Sequence, residues 1–438
     1  MPNLKVFEHQ AIRAGEELLF YNGGESLLQV LHERYITALW KLYDEEKRPF
    51  FKPIRNGIRF CEWVGVIKVL DLTLEILPKA DNDQNYGSTD EQAKWQGILI
   101  DMLRVCRRLH TPTVSDAALR LKSNSLLDLY IQRFIDEVCY LLNSGLIKKY
   151  RREEVNSHAL KGKLLLQKNI TKNIVHQERF YTARRSYDKD HLLHQILSKA
   201  IKILPRICNN QYLVSLCYQL QLQFPEVSEV KIDAGTFDKL VFDRKSAPYE
   251  KAIQIAKLLL LNYRPDVSAG NANSIAILFD MNNLWEEYVY RVLVKGSGGK
   301  FIVHNQRSTG FWNHQSVYRT LKPDIVIEGI INGEKRYVVV DTKWKNIYDH
   351  PKNVSMDDLR QMFAYHHYFE ASSCYLLYPG TDNKLEGKFS VKSYFNKLGL
   401  GEKNCGVLIC QAWEDNDNKK YLNPDLGEQI LQSLGFVC

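Results

Sequence analysis

The chain has 438 residues, 45% of them hydrophobic and 25% charged, which implies about two to three ordinary domains and excludes collagenous, low-complexity and disordered classes. Its 59 Lys and Arg against 51 Asp and Glu leave a net charge of +8, a mildly basic balance that suits a polyanionic partner without requiring one. No apolar run approaches the ~20 residues of a bilayer span, and the first residues lack the order of a secretory signal, so a cytoplasmic protein with no membrane passage is expected. Nine scattered cysteines without a C-x-x-C pair argue against a zinc or disulfide framework.

Along the chain, Gly65 to Lys79 (GVIKVLDLTLEILPK) reads as two short β-rich runs ended by Pro78. The apolar period then turns helical, from Gln92 to Leu109 and from Ser125 to Leu142. In the second, Leu127, Tyr130, Ile131, Phe134, Ile135, Val138 and Leu141 form one stripe, the pattern of a helix facing a core. Between Lys148 and Asp190 twelve Lys and Arg stand against five acids, with Tyr150, Phe180, Tyr181 and Tyr187 interleaved. That mixture suits a surface that meets phosphates and packs rings on sugars or bases. Its candidate DNA contacts are Lys148, Lys149, Arg151, Arg152, Lys161, Lys163, Arg184 and Arg185; a solvated connector between domains would have the same composition.

Helical patterns return at His191 to Leu204 and Tyr249 to Leu261. A further helix at Met281 to Leu293 is followed by strand-like runs at Pro323 to Glu328, Arg336 to Lys343, Cys374 to Tyr378 and Gly406 to Gln411, with a helix from Ser355 to Phe369 among them. The expected architecture is a multi-domain mixed α/β protein: a mixed α/β region over 1–160, a helical, basic connecting region over 161–265 and an α/β domain over 266–438.

The most informative passage is Lys322 to Lys345, KPDIVIEGIINGEKRYVVVDTKWK. Asn332-Gly333 is the strongest two-residue hairpin signal, because both central positions of a type I′ turn need positive φ. That hinge sets Ile327 opposite Val338, Ile325 opposite Val340 and Asp324 opposite Asp341, and directly opposed side chains stand roughly 4.5–5.5 Å apart. Two carboxylates side by side repel, unless a divalent cation such as Mg²⁺ lies between their oxygens. Lys343, two residues beyond Asp341, points to the same face. The apolar residues on both faces of the hairpin predict a buried sheet with its charged end at a cleft. A cation and an ammonium there would polarise a phosphodiester and offset the negative charge of its transition state; the alternative is a surface hairpin whose end charges merely pair.

Pro323-Asp324 followed by Asp341-Thr342-Lys343 resembles the PD-(D/E)XK nuclease motif. The resemblance implies a mixed sheet flanked by helices, Mg²⁺ (Mn²⁺ able to substitute) held by Asp324, Asp341 and the carbonyl of Thr342, and Lys343 orienting or activating the attacking water. On the helix that follows, Asp358, Gln361 and Tyr365 are spaced as in RecB-like members, which implies that Gln361 and Tyr365 line the site and position the substrate. The segments MNNLWEEYV, GVIKVLDLTLEILPK and LKGKLLLQKNI and the run Tyr375-Leu376-Leu377-Tyr378-Pro379 look like the McrC family, nuclease subunits of McrBC-type restriction systems. This likeness makes Glu286 a candidate further acid, although Glu287 beside it serves equally on charge alone. It also implies double-stranded DNA as substrate and a separate AAA+ GTPase, McrB, as partner, docked by the first ~160 residues and stimulated by this chain. The sequence has no G-x-x-x-x-G-K-[ST] loop, so nucleotide binding is expected of the partner rather than of this chain. Two other functions stay open: a non-cleaving DNA-docking adaptor that activates the AAA+ partner, and a stand-alone repair-type nuclease, against which the large non-nuclease portion argues.

Overall fold

The computed structural model describes residues 2–22, 25–45, 50–80, 89–109, 125–264, 273–315, 317–331, 334–347, 350–390, 403–416 and 419–436. They form two compact units that interleave along the chain. One comprises Lys68–Asp71 and Pro112–Ile277, the other Pro2–Ile67, Leu72–Thr111 and Leu278–Cys438.

The first unit is built on the helices Leu126–Ser144, Leu192–Ile207, Gln211–Gln223 and Glu250–Asn262. Ser125 caps the first of these by accepting the Asp128 N–H, and all seven residues of its apolar stripe are buried. Of the region over 161–265, expected to be helical and basic, the part up to Asp188 instead pairs with the end of the preceding mixed α/β region as a sheet. Lys149–Ser157, Phe180–Asp188 and the short Lys163–Leu164 form an antiparallel sheet, with only the helix Leu166–Lys172 between strands. Charge pairing explains it. Glu153 lies directly opposite Arg184 and holds it at 2.5 Å, while Arg151 reaches Asp188 at 3.0 Å and Asp190 at 3.1 Å. Cross-strand ion pairs thus replace the apolar alternation that marks most strands.

Where that sheet meets the helices, His194 is buried. Its Nδ1 lies 2.6 Å from the Lys189 carbonyl and its Nε2 2.9 Å from the Tyr249 hydroxyl, which itself accepts the Ile147 N–H at 3.0 Å. A carbonyl only accepts, so Nδ1 carries the proton and Nε2 receives the tyrosine hydroxyl. Burial, then the neighbouring His191, push His194 down to about 4. A depressed histidine stabilises the fold while neutral, so its contribution is present above pH ~6.5 and is lost as pH falls toward 4. We expect this unit to lose about 2 kcal/mol over that window after allowance for partial solvation. Urea unfolding at pH 7 and pH 4 measures it; His194→Gln should flatten the difference.

In the second unit, one sheet carries, in order, Trp63–Val69, Leu72–Leu77, Asn3–Phe7, Glu17–Asn22 and Glu25–Val30, and a small sheet is formed by Ala11–Arg13, Gly57–Phe60 and Phe51–Ile54. The mixed sheet that positions the site has the order Ile302–Asn305, Ile325–Ile331, Glu334–Thr342, Ser373–Pro379, Asn404–Cys410 and Asn383–Lys388. Its first three strands are antiparallel, whereas Glu334–Thr342, Ser373–Pro379 and Asn404–Cys410 run parallel. The helix Met356–Tyr368 makes the first parallel crossover and packs Met362 and Tyr365 onto Val326, Val339 and Leu376. The sheet is sandwiched at its centre, and Ile325, Val326, Ile327, Val338, Val339 and Val340 are all buried. The register is the one the sequence implies, Ile325 opposite Val340 and Ile327 opposite Val338; Asn332-Gly333 itself lies outside the described residues. Among the described residues no helix is long and apolar enough to cross a membrane.

Candidate active site

At the open end of the hairpin, Asp324 leads into its first strand and Asp341 lies near the end of its second. Thr342 binds one oxygen of Asp324 twice: its N–H donates to Asp324 Oδ2 at 2.7 Å and its hydroxyl to the same atom at 2.9 Å. Thr342 therefore anchors one acid beside the other. Asp341 is 1% exposed, and its close charge contact is Lys343 Nζ, 2.6 Å from Oδ2. Beyond that ion contact neither of its carboxylate oxygens accepts a hydrogen bond.

The electrostatics follow from burial. Desolvation, then the charge of Asp324, push Asp341 up to about 7, against the pull of Lys343. Asp324 is raised as well, first by burial, with the Thr342 hydrogen bonds and the Lys343 charge opposing. Burial pulls Lys343 down, but Asp341, Asp358 and Asp324 outweigh it and its net shift is upward, so the ammonium is retained. Asp358, at the start of the crossover helix, lies 3.9 Å from Lys343 Nζ and 2.9 Å from Lys345 Nζ.

Glu286 and Glu287 are separated by what they touch. Arg108 and Arg291 hold Glu287 at 2.9 and 2.8 Å. Glu286 faces the other way, its carboxyl raised by burial and by the charge of Asp324, and it accepts the Gln306 side chain at 2.7 Å. Gln306 was invisible in the sequence. It sits past the end of Ile302–Asn305 with φ of 51°, and its N–H donates to the Asp324 carbonyl at 2.8 Å. One residue in the left-handed region thus ties two acids together. No periodic pattern marks such a position.

Gln361 and Tyr365 lie behind the acids. The Tyr365 hydroxyl accepts the Gln361 side-chain N–H at 2.7 Å and donates to the Lys322 carbonyl at 3.0 Å, and the ring is buried. They brace the turn that carries Asp324. The residue after Lys343 is held in turn, for the Trp344 indole donates to Glu8 at 2.7 Å and packs 5.4 Å from Trp285.

Of the basic candidates, all in the first unit, Arg151 and Arg184 are engaged by acids of their own sheet. Arg152 and Arg185 are directly opposed and exposed, beside the tilted ring pair Tyr150 and Tyr187 at 4.6 Å. Lys148, Lys161 and Lys163 are exposed and Lys149 is half-buried.

Does this pocket suit a divalent cation? Among the described residues no group of three or more His, Cys, Asp or Glu side chains is set to hold a metal ion. The carboxylate pair nevertheless fits one: Asp341 is buried, and apart from the Lys343 ammonium at Oδ2 its oxygens lack hydrogen-bond donors. Two carboxylates sharing one ammonium leave a charge that a hard cation with oxygen ligands and water relieves.

Fold and site together define a helix-flanked mixed-sheet protein with an acid pair and an ammonium at the strand ends. Residues 58–379 match the family model of the McrBC 5-methylcytosine restriction system component, and the chain belongs to that family. Its fold is similar to that of a chain in the refined half-complex from a tetradecameric assembly of Thermococcus gammatolerans McrB AAA+ hexamers with bound McrC, with a TM-score of 0.65 and 18% identity over 99% of this chain and 100% of that one. A chain of the Thermococcus gammatolerans McrBC complex matches with a TM-score of 0.48 and 20% identity over 67% of this chain and 88% of that one. No curated protein matches.

Proposed function

We propose that this restriction-system component is the endonuclease subunit, hydrolysing phosphodiesters of double-stranded DNA with Mg²⁺ while assembled with, and stimulating, a separate AAA+ GTPase of the McrB kind. The observation that carries this reading is the buried Asp341 carboxylate beside Asp324 and Lys343, with no donor but the ammonium. Asp324 and Asp341 would hold the cation, with the Thr342 carbonyl as a further ligand. A cation bound there would supply charge neutralisation at the scissile phosphate and acidify a water. Lys343, charged at neutral pH, orients the water and offsets the charge that develops on the phosphate oxygens. Gln306 holds Glu286 toward the acid pair, and Gln361 with Tyr365 fixes the backbone of Lys322 and so the substrate-facing position of Asp324. The basic sheet of the first unit contributes phosphate contacts through Arg152, Arg185 and its lysines, and residues 1–160 include the surface that docks the partner.

The test is cleavage of duplex DNA by the chain together with an AAA+ GTPase of the McrB kind, with GTP and Mg²⁺. Chelation by EDTA should abolish cleavage and Mn²⁺ should restore it. Cleavage that persists in EDTA, or a complex that never cleaves, would overturn the reading. Glu286→Gln should lower the rate about 10–100-fold, because Glu286 faces Asp324, whereas Glu287→Gln should leave the rate within about twofold and cost about 1 kcal/mol through its two arginines. Equal effects of the two substitutions on cleavage would remove Glu286 from the site.

A further inference from the structure

Between the edge strand Ile302–Asn305 and the hairpin that carries Asp324, the chain leaves the mixed sheet as a separate two-stranded ribbon, Thr309–His314 paired antiparallel with Val317–Leu321. Almost every residue of it is exposed, on both faces: Trp312 is 53% and Tyr318 71% accessible. An isolated pair of strands is marginal in water and normally hides one face. Among the described residues, this one is anchored where it enters and leaves the domain and at its bulge. Its legs close at the acid site through the Gln306 N–H on the Asp324 carbonyl at 2.8 Å, and Phe311, at the register shift, packs 5.3 Å from Tyr368 on the crossover helix.

The chemistry of the ribbon is one-sided. Trp312 lies opposite Arg319 in register, and His314 stacks on Trp312 at 5.9 Å, so an indole, an imidazole and a guanidinium share one face. There is no Asp or Glu anywhere between Glu287 and Asp324, while Lys300, Arg307, Arg319 and Lys322 fall within that interval. An interface with another folded protein gathers its aromatics into one apolar core ringed by polar residues, whereas here Trp312 and Tyr318 stand exposed on opposite faces of a thin ribbon. Exposed rings grouped around Arg319, with further cations at the ribbon's base and no carboxylate, fit a polyanion with flat or ribose surfaces to pack on.

Dimensions agree. Six residues at about 3.3 Å each reach roughly 20 Å, and the DNA major groove, about 12 Å wide, admits a two-stranded ribbon. We infer that the Thr309–Leu321 ribbon is a DNA-gripping arm that lies along the duplex and, being rooted at Asp324 and Gln306, sets where the scissile phosphate meets the acid pair. This rests on the nuclease reading for the location of the phosphate, but not for the binding itself.

The experiment measures binding without cleavage: fluorescence anisotropy of a short labelled duplex with the full-length chain in EDTA, across a salt series. Because the ribbon's side chains face water, Trp312→Ala and Arg319→Ala should leave the thermal midpoint unchanged. The double variant should raise Kd about tenfold or more, and loss of Arg319 should reduce the salt slope by about one. Arg319→Lys should restore the slope. A double variant that binds like the wild type overturns the inference. So does one that binds DNA normally but loses self-association or retention of the AAA+ partner, since the ribbon is then a protein contact. If no form of the chain ever cleaves, the nuclease reading falls while the binding result still decides the role of the arm.

Discussion

Asp341→Asn should abolish DNA cleavage, by about a thousandfold or more, while leaving the metal-free protein as stable as the wild type or slightly more so. The two halves of this result have one cause. Asp341 is buried, and its charge is opposed by Asp324 and compensated only by Lys343. An amide of the same shape removes a carboxylate that the fold accommodates at a cost, and with it one of the two charged ligands proposed for a cation. Titrating Mg²⁺ while following thermal unfolding separates these effects. The wild type should gain about 2.7 kcal/mol at a hundredfold excess over its dissociation constant, and Asp341→Asn should gain little. Lys343→Ala should lose cleavage to a similar extent yet keep the metal-linked gain, because its ammonium is no ligand. If Asp341→Asn cleaves at the wild-type rate, or Mg²⁺ stabilises both proteins equally, the carboxylate pair is not the site.

How far the sequence carried this arrangement depends on whether each interaction is local. The hairpin register followed from one turn signal and two apolar runs, because in a tight hairpin sequence distance and spatial distance are the same information. Asp324, Asp341 and Lys343 were therefore legible together. The choice of Glu286 over Glu287 was not, since it is made by Arg108, far away in sequence, and by Gln306, whose left-handed backbone leaves no periodic trace. The strands of the basic segment were hidden for a different reason. Lys149–Ser157 alternates half-buried and exposed residues as a strand should, but the half-buried ones include Arg151 and Glu153, whose burial is made possible by partners on the opposing strand. A pattern scored on hydrophobicity passes over alternation written in charge. Tyr365 shows the converse: its spacing from Asp358 and Gln361 was visible, while its engagement with the Lys322 carbonyl required the fold.

Gly427→Ala should cost about 3 kcal/mol in unfolding free energy, although it adds one methyl group. The helices Met281–Gly296 and Leu426–Ser433 approach so closely that a Cβ on Gly427 would stand 2.0 Å from the Val292 carbonyl oxygen and 2.6 Å from its carbon, both of them backbone. The reciprocal position is as tight, with a Cβ on Gly296 falling 2.7 Å from the Glu428 nitrogen. No rotamer relieves a clash with main chain, so the helices must part and forfeit the dispersion contacts along their crossing. The displaced helix is the one that carries Glu286, whose contact with Gln306 depends on its exact height against the sheet edge. Cleavage by Gly427→Ala should therefore fall at temperatures where the variant is still folded. Gly97→Ala is the control: within the helix Thr89–Val105 a Cβ there meets nothing within 4 Å, and removing glycine from a helix interior should stabilise by about 0.5–1 kcal/mol. Opposite signs for the same chemical change, read as denaturant midpoints, would locate the cost in the helix crossing; a destabilised Gly97→Ala, or a neutral Gly427→Ala, would show that the close approach does not hold the two helices in register.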